Sequence, residues 1–421
     1  MRRLLVLFVV AGALWGAPGA FAAGWCGSGE SATDRPDATT GSQIHAIWAV
    51  PADGADTFAA GAPRIADDLA SISGWWVGQD PTRAPRFDDA VFPAGTCVDI
   101  SFVKLPQPAS SFVGASTAFE TVTTDLETMG FGNLFKKYVV YYDGPSVEAN
   151  VCGTGGGNFS SGPSFAVMWL AGCTDVPTDS VTAHELLHAL GALPIGAPNA
   201  CTAADNPLGP VADTGHPCDS PQDVLYPVSS GAPLSQLILD VNHDDYYGHS
   251  GTWDDIQDSA WLHLLGAPAI PLALAIAGGG EVTSVVPGVD CTASCTTTWD
   301  GGSTTELLPQ AARGHRFVGW SGACNGRAGC SVTLGAPVAV SATFGPVRVP
   351  VAIGKTGKGA VTCAPRCGRT FAAGARLTLH AVPAKGWRFA SWTGDCAKVH
   401  VATCRPKTDF HVRAQAIFRK R

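Results

Sequence analysis

Charge is scarce in this chain: Asp, Glu, Lys and Arg together make up 15% of its 421 residues. Methionine occurs 3 times, and the last, Met168, lies far from the C-terminus. Long apolar runs are missing beyond the first 22 residues. Ile270 to Ala277 is apolar but runs into Gly278-Gly279-Gly280, too short to cross a bilayer. That excludes a membrane-spanning helix. In place of charge there are 50 Gly and 30 Pro. Such a balance points to loop-rich and strand-rich modules, in a length suited to two to four domains.

The N-terminus reads as an export signal over residues 1–22. Arg2 and Arg3 form a basic n-region, Leu4 to Trp15 an apolar h-region, and Ala20-Phe21-Ala22 a cleavage site. The 14 cysteines, an even number, fit an oxidising compartment. The expectation is a secreted, extracellular protein with no membrane span, associated with the cell wall if its tail binds there. Charge is divided unevenly along the chain. Ala23 to Ala269 carries 7 basic and 29 acidic residues, whereas Val347 to Arg421 carries 15 basic and 2 acidic. A module that basic is a candidate for binding a polyanionic cell-surface polymer, and the chain's own acidic region is the rival partner.

The chemistry is concentrated in Asp179 to Gly191, D-S-V-T-A-H-E-L-L-H-A-L-G. His184 and His188 are four apart, so on a helix both imidazoles lie on one face and can reach one ion. Glu185 follows the first of them and is placed to polarise a water. Thr178, Asp179 and Ser180 are N-cap residues by type, and Gly191 stands where the helix should end. Upstream, the pattern predicts strands over 43–50, 98–103, 137–142 and 164–170, and amphipathic helices over 63–76 and 115–129. An α+β domain over 23–267, with its site helix late in the chain, is expected.

Six cysteines of that domain allow fifteen pairings. Proximity favours Cys152–Cys173 before the helix and Cys201–Cys218 after it, leaving Cys26–Cys97. Beyond residue 267 the chain repeats with a 72-residue period: Cys291 with Cys363, Cys295 with Cys367, Trp320 with Trp392, Cys324 with Cys396. Cys330 matches Cys404 after two extra residues. Two small all-β modules are expected, 268–346 and 347–421, each stapled by local disulfides. Four cysteines per copy could instead hold a structural zinc, a reading the exported context disfavours. The G-x-R-F-x-x-W-x-G-x-C signature (Gly314 to Cys324, Gly386 to Cys396) and the C-x3-C pair resemble the divergent internalin-type B-repeat. That resemblance implies an accessory, adhesive or spacer role.

A catalytic zinc needs a third protein ligand. H-E-x-x-H-x-x-G resembles the metzincins, whose third ligand is usually a His or Asp three residues after the Gly. Here that position is Pro194, which has no ligating side chain. Asn199, Asp205, Asp213, His216 and Asp219 remain. His216 is favoured, because it lies in D-T-G-H-P-C-D beside the Cys201–Cys218 staple and neutral imidazole suits a site already holding two; Asp213 and Asp219 are the alternatives. Asp223-Val224-Leu225-Tyr226 resembles the metzincin Met-turn region, with Leu225 where Met would stand. Together with the helix it resembles secreted bacterial zincins over 43–265. The resemblance implies a zincin-like mixed sheet, one catalytic Zn2+, Glu185 as general base, and a protein or peptide substrate. Tyr226, Tyr246 and Tyr247 are candidate oxyanion donors. Asp240-Val241-Asn242-His243-Asp244-Asp245, with Asp254, Asp255 and Asp258 nearby, opens like a calcium loop and is a candidate for structural Ca2+. His243, His249 and His263 are further ligand types by chemistry alone. The function expected is a secreted zinc endopeptidase with C-terminal binding repeats. The alternative is a non-catalytic adhesion protein on a degenerate zincin scaffold.

Overall fold

The computed structural model describes residues 24–421 except Ser28, Ser146, Ala149 and Pro194, and of Thr214 the backbone alone. The expected signal peptide and the Pro194 position therefore lie outside the described residues. The chain divides into two compact units, the first running to Ala269 and including Val286–Gly288, the second made of Ile270–Val285 and Val289–Arg421.

The first unit contains β1 (Gln43–Val50), α1 (Phe58–Gln79), β2 (Arg83–Pro85), β3 (Asp89–Phe92), β4 (Gly95–Val98), β5 (Ile100–Lys104), α2 (Ala118–Thr128), β6 (Lys136–Tyr142), β7 (Gly153–Gly156), β8 (Ser164–Trp169), α3 (Thr178–Leu190), β9 (Ala200–Cys201), β10 (Asp213–Pro217) and β11 (Leu262–Leu264). Its main sheet has the order β5-β1-β6-β8-β7. All neighbours are parallel except the edge strand β7, which runs antiparallel to β8.

Both faces of this sheet are covered, so its strands read as continuous apolar runs. The period of two still sorts side chains between the faces. Ile44, Ala46 and Trp48 of β1 join the core beneath α1 and α3. Ile47 and Ala49 point to the opposite core, with Ala118, Val122 and Leu126 of α2. The anchors expected of α1, Ile65, Leu69, Ile72 and Trp76, are all buried. The helix begins five residues earlier than the pattern predicts, at Phe58, whose N–H is accepted by Asp56 Oδ1 at 3.0 Å. Burial of Phe58 pulls that turn in, so Pro63 falls inside the helix rather than at its start.

A buried ion cluster ties the N-terminal segment to the sheet. Lys136 Nζ donates to Asp34 Oδ2 (2.7 Å), Asp37 Oδ1 (2.6 Å) and Asp88 Oδ2 (2.6 Å). His45 Nδ1 also lies 2.8 Å from Asp88, and its Nε2 lies 3.0 Å from Ser101 Oγ. One ammonium cannot offset three carboxylates. Burial, then the charge of Asp88, push Asp37 up to about 7. Burial and Asp88 do the same to Asp89, and burial raises Asp68 to about 7.

The second unit is all-β. Its first repeat holds β12 (Ala269–Ala277), β13 (Gly280–Ser284), β14 (Asp290–Cys291), β15 (Cys295–Asp300), β16 (Thr304–Ala311), β17 (His315–Gly322), β18 (Cys330–Thr333) and β19 (Val338–Pro346). These form two four-stranded sheets, β15-β12-β19-β17 and β14-β13-β16-β18. Its second repeat holds β20 (Arg348–Thr356), β21 (Gly359–Ala364), β22 (Thr370–Ala372), β23 (Thr378–Pro383), β24 (Trp387–Gly394), β25 (Thr403–Cys404) and β26 (Val412–Lys420), in sheets β22-β20-β26-β24 and β21-β23-β25. All fourteen cysteines are paired: Cys26–Cys97, Cys152–Cys173, Cys201–Cys218, Cys291–Cys295, Cys324–Cys330, Cys363–Cys367 and Cys396–Cys404. Seven disulfides belong to an oxidising, extracytoplasmic compartment. No described helix is long and apolar enough to cross a membrane.

The raised carboxyl pKa values give a pH dependence. Asp37, Asp68 and Asp89 bind protons in the folded state below about pH 7, but near 3.8 when unfolded. Their contribution is complete at low pH and is lost as pH rises through 7. The unfolding temperature of the metal-free chain should therefore fall between pH 5 and pH 7 in calorimetry. A rise over that interval would contradict the account.

Candidate metal centre

Helix α3 carries the two imidazoles expected to share a face. It starts at Thr178 behind Pro177 with no side-chain cap, so none of Thr178, Asp179 or Ser180 is the N-cap. Asp179 instead accepts Ser180 N–H at 2.8 Å and Ser71 Oγ–H at 2.6 Å, which ties α3 to α1. Its C-terminus is as predicted: Gly191 adopts φ +93°, and its N–H returns to His188 O at 3.0 Å.

His216 reaches the same point from β10. The ladder β9–β10, the disulfide Cys201–Cys218 and a Cys218 N–H to Asn199 O bond (2.9 Å) hold its loop. Asn199 is held in turn by the buried Asp245, which accepts its N–H at 2.8 Å. The Nε2 atoms of His184, His188 and His216 stand 3.2 Å apart in every pairing.

The partners of the other ring nitrogens decide what those three atoms are. His184 Nδ1 lies 2.8 Å from Val224 O, a carbonyl that can only accept, so Nδ1 carries the hydrogen. His216 Nδ1 lies 2.9 Å from Asp213 Oδ2 and is fixed in the same way. Both Nε2 atoms therefore present lone pairs, and no hydrogen is available between them in the neutral rings. Burial, then neighbouring imidazoles, hold His184 down to about 4 and His188 well below its usual value. These two lone pairs, 3.2 Å apart, repel one another unless a cation or the hydrogen of His188 Nε2 lies among them. Nitrogen ligands at about 2.0–2.1 Å from a tetrahedral ion are separated from each other by about 3.3 Å, so the spacing fits such an ion.

Glu185 is 7% exposed beside this triangle. Burial pushes its carboxyl up to about 8, opposed by an N–H donated from Gly155. The strand that makes this possible, β7, is the feature the sequence reading missed. A Cβ at Gly153 would lie 2.6 Å from Glu185 Oε1, and one at Gly155 would lie 2.8 Å from His188 Cβ and overlap the Glu185 carbonyl. Only glycine lets this strand lie against α3. The run Gly153-Thr154-Gly155-Gly156-Gly157 was the available signal, but its residues lack the β-branched, alternating pattern of a strand.

The site opens into a cleft of about 540 Å³. Val151, Val176, Val181, Leu208, Val224 and Val228 form its apolar walls, and Tyr226 also lines it. The other tyrosines are committed elsewhere: Tyr246 O–H donates to Asp223 (2.7 Å) and Tyr247 O–H to Asp80 (2.7 Å). Asp223, 2% exposed, shapes the turn that aims Val224 O by accepting Leu225 N–H (2.7 Å) and Val241 N–H (2.9 Å). Leu225 is fully buried in the core under α3.

Several expected ligands lie elsewhere. Asp213 orients His216 rather than joining the triangle. Asp205 accepts Thr202 N–H (2.6 Å). Asp219 comes within 4.8 Å of Asp244 and Asp245, away from the imidazoles. Asp240 does not join that acidic group, because its carboxylate accepts the N–H groups of Tyr246 (2.7 Å) and Tyr247 (2.6 Å). Asp255 likewise accepts Gly248 and Gln257 N–H, each at 2.9 Å. Within the stretch read as a calcium loop, Asp240 is thus spent on backbone N–H groups, while Asp244 and Asp245 stand together with Asp219. His243 and His249 sit apart from the triangle, the first 3.2 Å from Tyr247 O and the second against Trp253.

Comparison with known proteins defines the second unit. Residues 279–348 and 349–418 match the family described as Divergent InlB B-repeat domain, so this chain carries two such domains in tandem. No curated protein matches the chain. Among solved structures, the major pilin protein (T-13) of Streptococcus pyogenes is similar at 10% identity, covering 37% of this chain and 98% of that one, with a TM-score of 0.19. Wild-type OgpA from Akkermansia muciniphila is similar in two crystal forms. One gives 10% identity, 73% and 97% coverage and a TM-score of 0.26; the other gives 11%, 83% and 92%, and 0.25.

The glycines of β7 provide a test. Gly153→Ala and Gly155→Ala should each lower stability by about 1–3 kcal/mol, the usual penalty of overpacking, while Gly95→Ala at the start of β4, with nothing within 4 Å of the added Cβ, tests the effect of positive φ alone. Thermal unfolding of the three variants measures this. Wild-type stability in both β7 variants would refute the close-approach argument.

Proposed function

We propose that the first unit is a zincin-like, zinc-dependent endopeptidase, secreted with two B-repeat domains as accessory modules. The observation that carries this reading is the triangle of three Nε2 atoms at 3.2 Å, two of them held as bare lone pairs by their Nδ1 partners, beside the buried Glu185. His184, His188 and His216 would hold the ion, and three protein nitrogens leave a fourth position for substrate chemistry. Bound zinc supplies Lewis acidity toward a carbonyl and makes a nucleophilic water available near neutral pH.

The remaining roles belong to the chain. Asp213 and the Val224 carbonyl keep two rings in the tautomer that exposes Nε2. Glu185, kept ionised against the pull of burial by the charge of an ion among the imidazoles, can take the proton from the attacking water on its carboxylate and return it to the leaving amine. Tyr226, in the cleft wall, is the available donor toward a developing oxyanion. Strand β7 is a sheet edge whose first residue, Gly153, lines the cleft, so an extended peptide can add along it. The apolar walls favour an aliphatic side chain next to the scissile bond.

Purified protein should contain one zinc per chain by elemental analysis and hydrolyse an unstructured protein substrate. Glu185→Gln should keep the zinc and lose activity by about 100-fold or more. His216→Ala should lose the zinc, and Asp213→Ala should weaken zinc affinity by about 10- to 100-fold. Zinc-free wild type after zinc supplementation, or full activity in Glu185→Gln, would refute the proposal.

A further inference from the structure

The two repeats share one backbone plan but not one surface. With the 72-residue offset before the third conserved cysteine and 74 after the fourth, Arg376 stands where the first repeat has Thr304. Arg405 stands at Ser331 and Lys407 at Thr333. In the first repeat, Thr304 and Thr333 face each other across the β16–β18 ladder, with their hydroxyls 2.9 Å apart. The backbone at this end is alike in both copies: Gly302 N–H bonds Leu334 O at 3.0 Å, and Gly374 N–H bonds Thr408 O at 3.2 Å. The second copy has thus replaced a hydrogen-bonded Thr pair by two cations.

This is not an isolated change. On the other sheet of the second repeat, Arg388 pairs directly with Arg419, whereas the first repeat pairs Arg316 with Gly345. Like charges placed directly opposite each other destabilise a sheet. The fold does not require them, because the first repeat builds the same ladder without them. A cost that folding does not impose points to a ligand.

Arg376, Arg405 and Lys407 are all exposed and line one groove of about 720 Å³, together with Thr378, Thr408 and Asp409. No salt bridge engages any of the three cations among the described residues. We infer that this groove binds the phosphate groups of a linear phosphate polymer. Two guanidinium forks give bidentate contacts to phosphate oxygens, and Lys407 adds a point charge. A polymer rather than a single anion is indicated by the balance of 15 basic to 2 acidic residues over Val347 to Arg421 and by the second like-charge pair outside the groove. A concave site suits an extended chain better than a flat bilayer. The inference is independent of the metal centre.

Titration of the full-length protein with inorganic polyphosphate tests it. Binding should weaken steeply with added salt, as release of counterions demands. The variant Arg376→Thr/Arg405→Ser/Lys407→Thr, which installs the first repeat's residues, should lose about tenfold or more in affinity while unfolding at or above the wild-type temperature. Lys398→Ala, an exposed cation outside the groove, should change affinity less than about twofold. Arg376→Lys/Arg405→Lys, which keeps the charge but loses the forks, should fall between the wild type and the triple variant in affinity. Wild-type affinity in the triple variant would overturn the inference, as would salt-independent binding. So would tighter binding to anionic phospholipid vesicles that survives the triple variant.

Discussion

Three imidazole Nε2 atoms that meet at 3.2 Å, two of them bare lone pairs, do not come together by their own attraction. Everything around them works to hold them in place. Two rings are pinned from behind, by a carbonyl at 2.8 Å and a carboxylate at 2.9 Å. The helix carrying two of them is drawn against an edge strand that only glycine permits. The loop carrying the third is closed by a disulfide and a short ladder. Behind that loop stand buried carboxylates, Asp223, Asp240 and Asp245, whose bonds go to backbone N–H groups and a tyrosine hydroxyl rather than to cations. A turn region this polar stays rigid because its donors and acceptors are satisfied.

The two halves of the chain use charge in opposite ways. In the first unit, acidic side chains are folded inward, around Lys136 or as acceptors for turns, and burial raises several of their pKa values. In the second repeat, basic side chains face outward, and some face one another. The first pattern rigidifies a scaffold. The second leaves free energy that a bound anion can recover.

Much of this was legible in the residues. Periodicity found α1, the three central strands and the site helix, because their apolar positions repeat within a few residues and answer to a core on both sheet faces. Six of the seven disulfides followed from proximity, since short loops close at the least entropic cost, and Cys26–Cys97, 71 residues apart, followed by elimination. The internal repeat was legible by comparing the chain with itself. Strand β7 was not, because glycine carries no periodic signal. Its strand character comes from pairing with β8 and its sequence from the helix pressed on it. Asp213 could be named as a side chain of ligand type, but whether it binds or orients depends on where His216 turns its Nδ1.

The sequence by itself determined the spacing of His184, Glu185 and His188 on one helix and the doubling of a small cystine-stapled module. These are local facts, set by the geometry of a helix turn and by residues close in the chain. Only the tertiary structure decided that His216, 28 residues beyond His188, completes the triangle, that Val224 and Asp213 aim two of its rings, and that Arg376 and Lys407 share one groove. Those relations join segments that no periodicity connects. They exist once ladders, disulfides and close-packed glycines bring the backbones together.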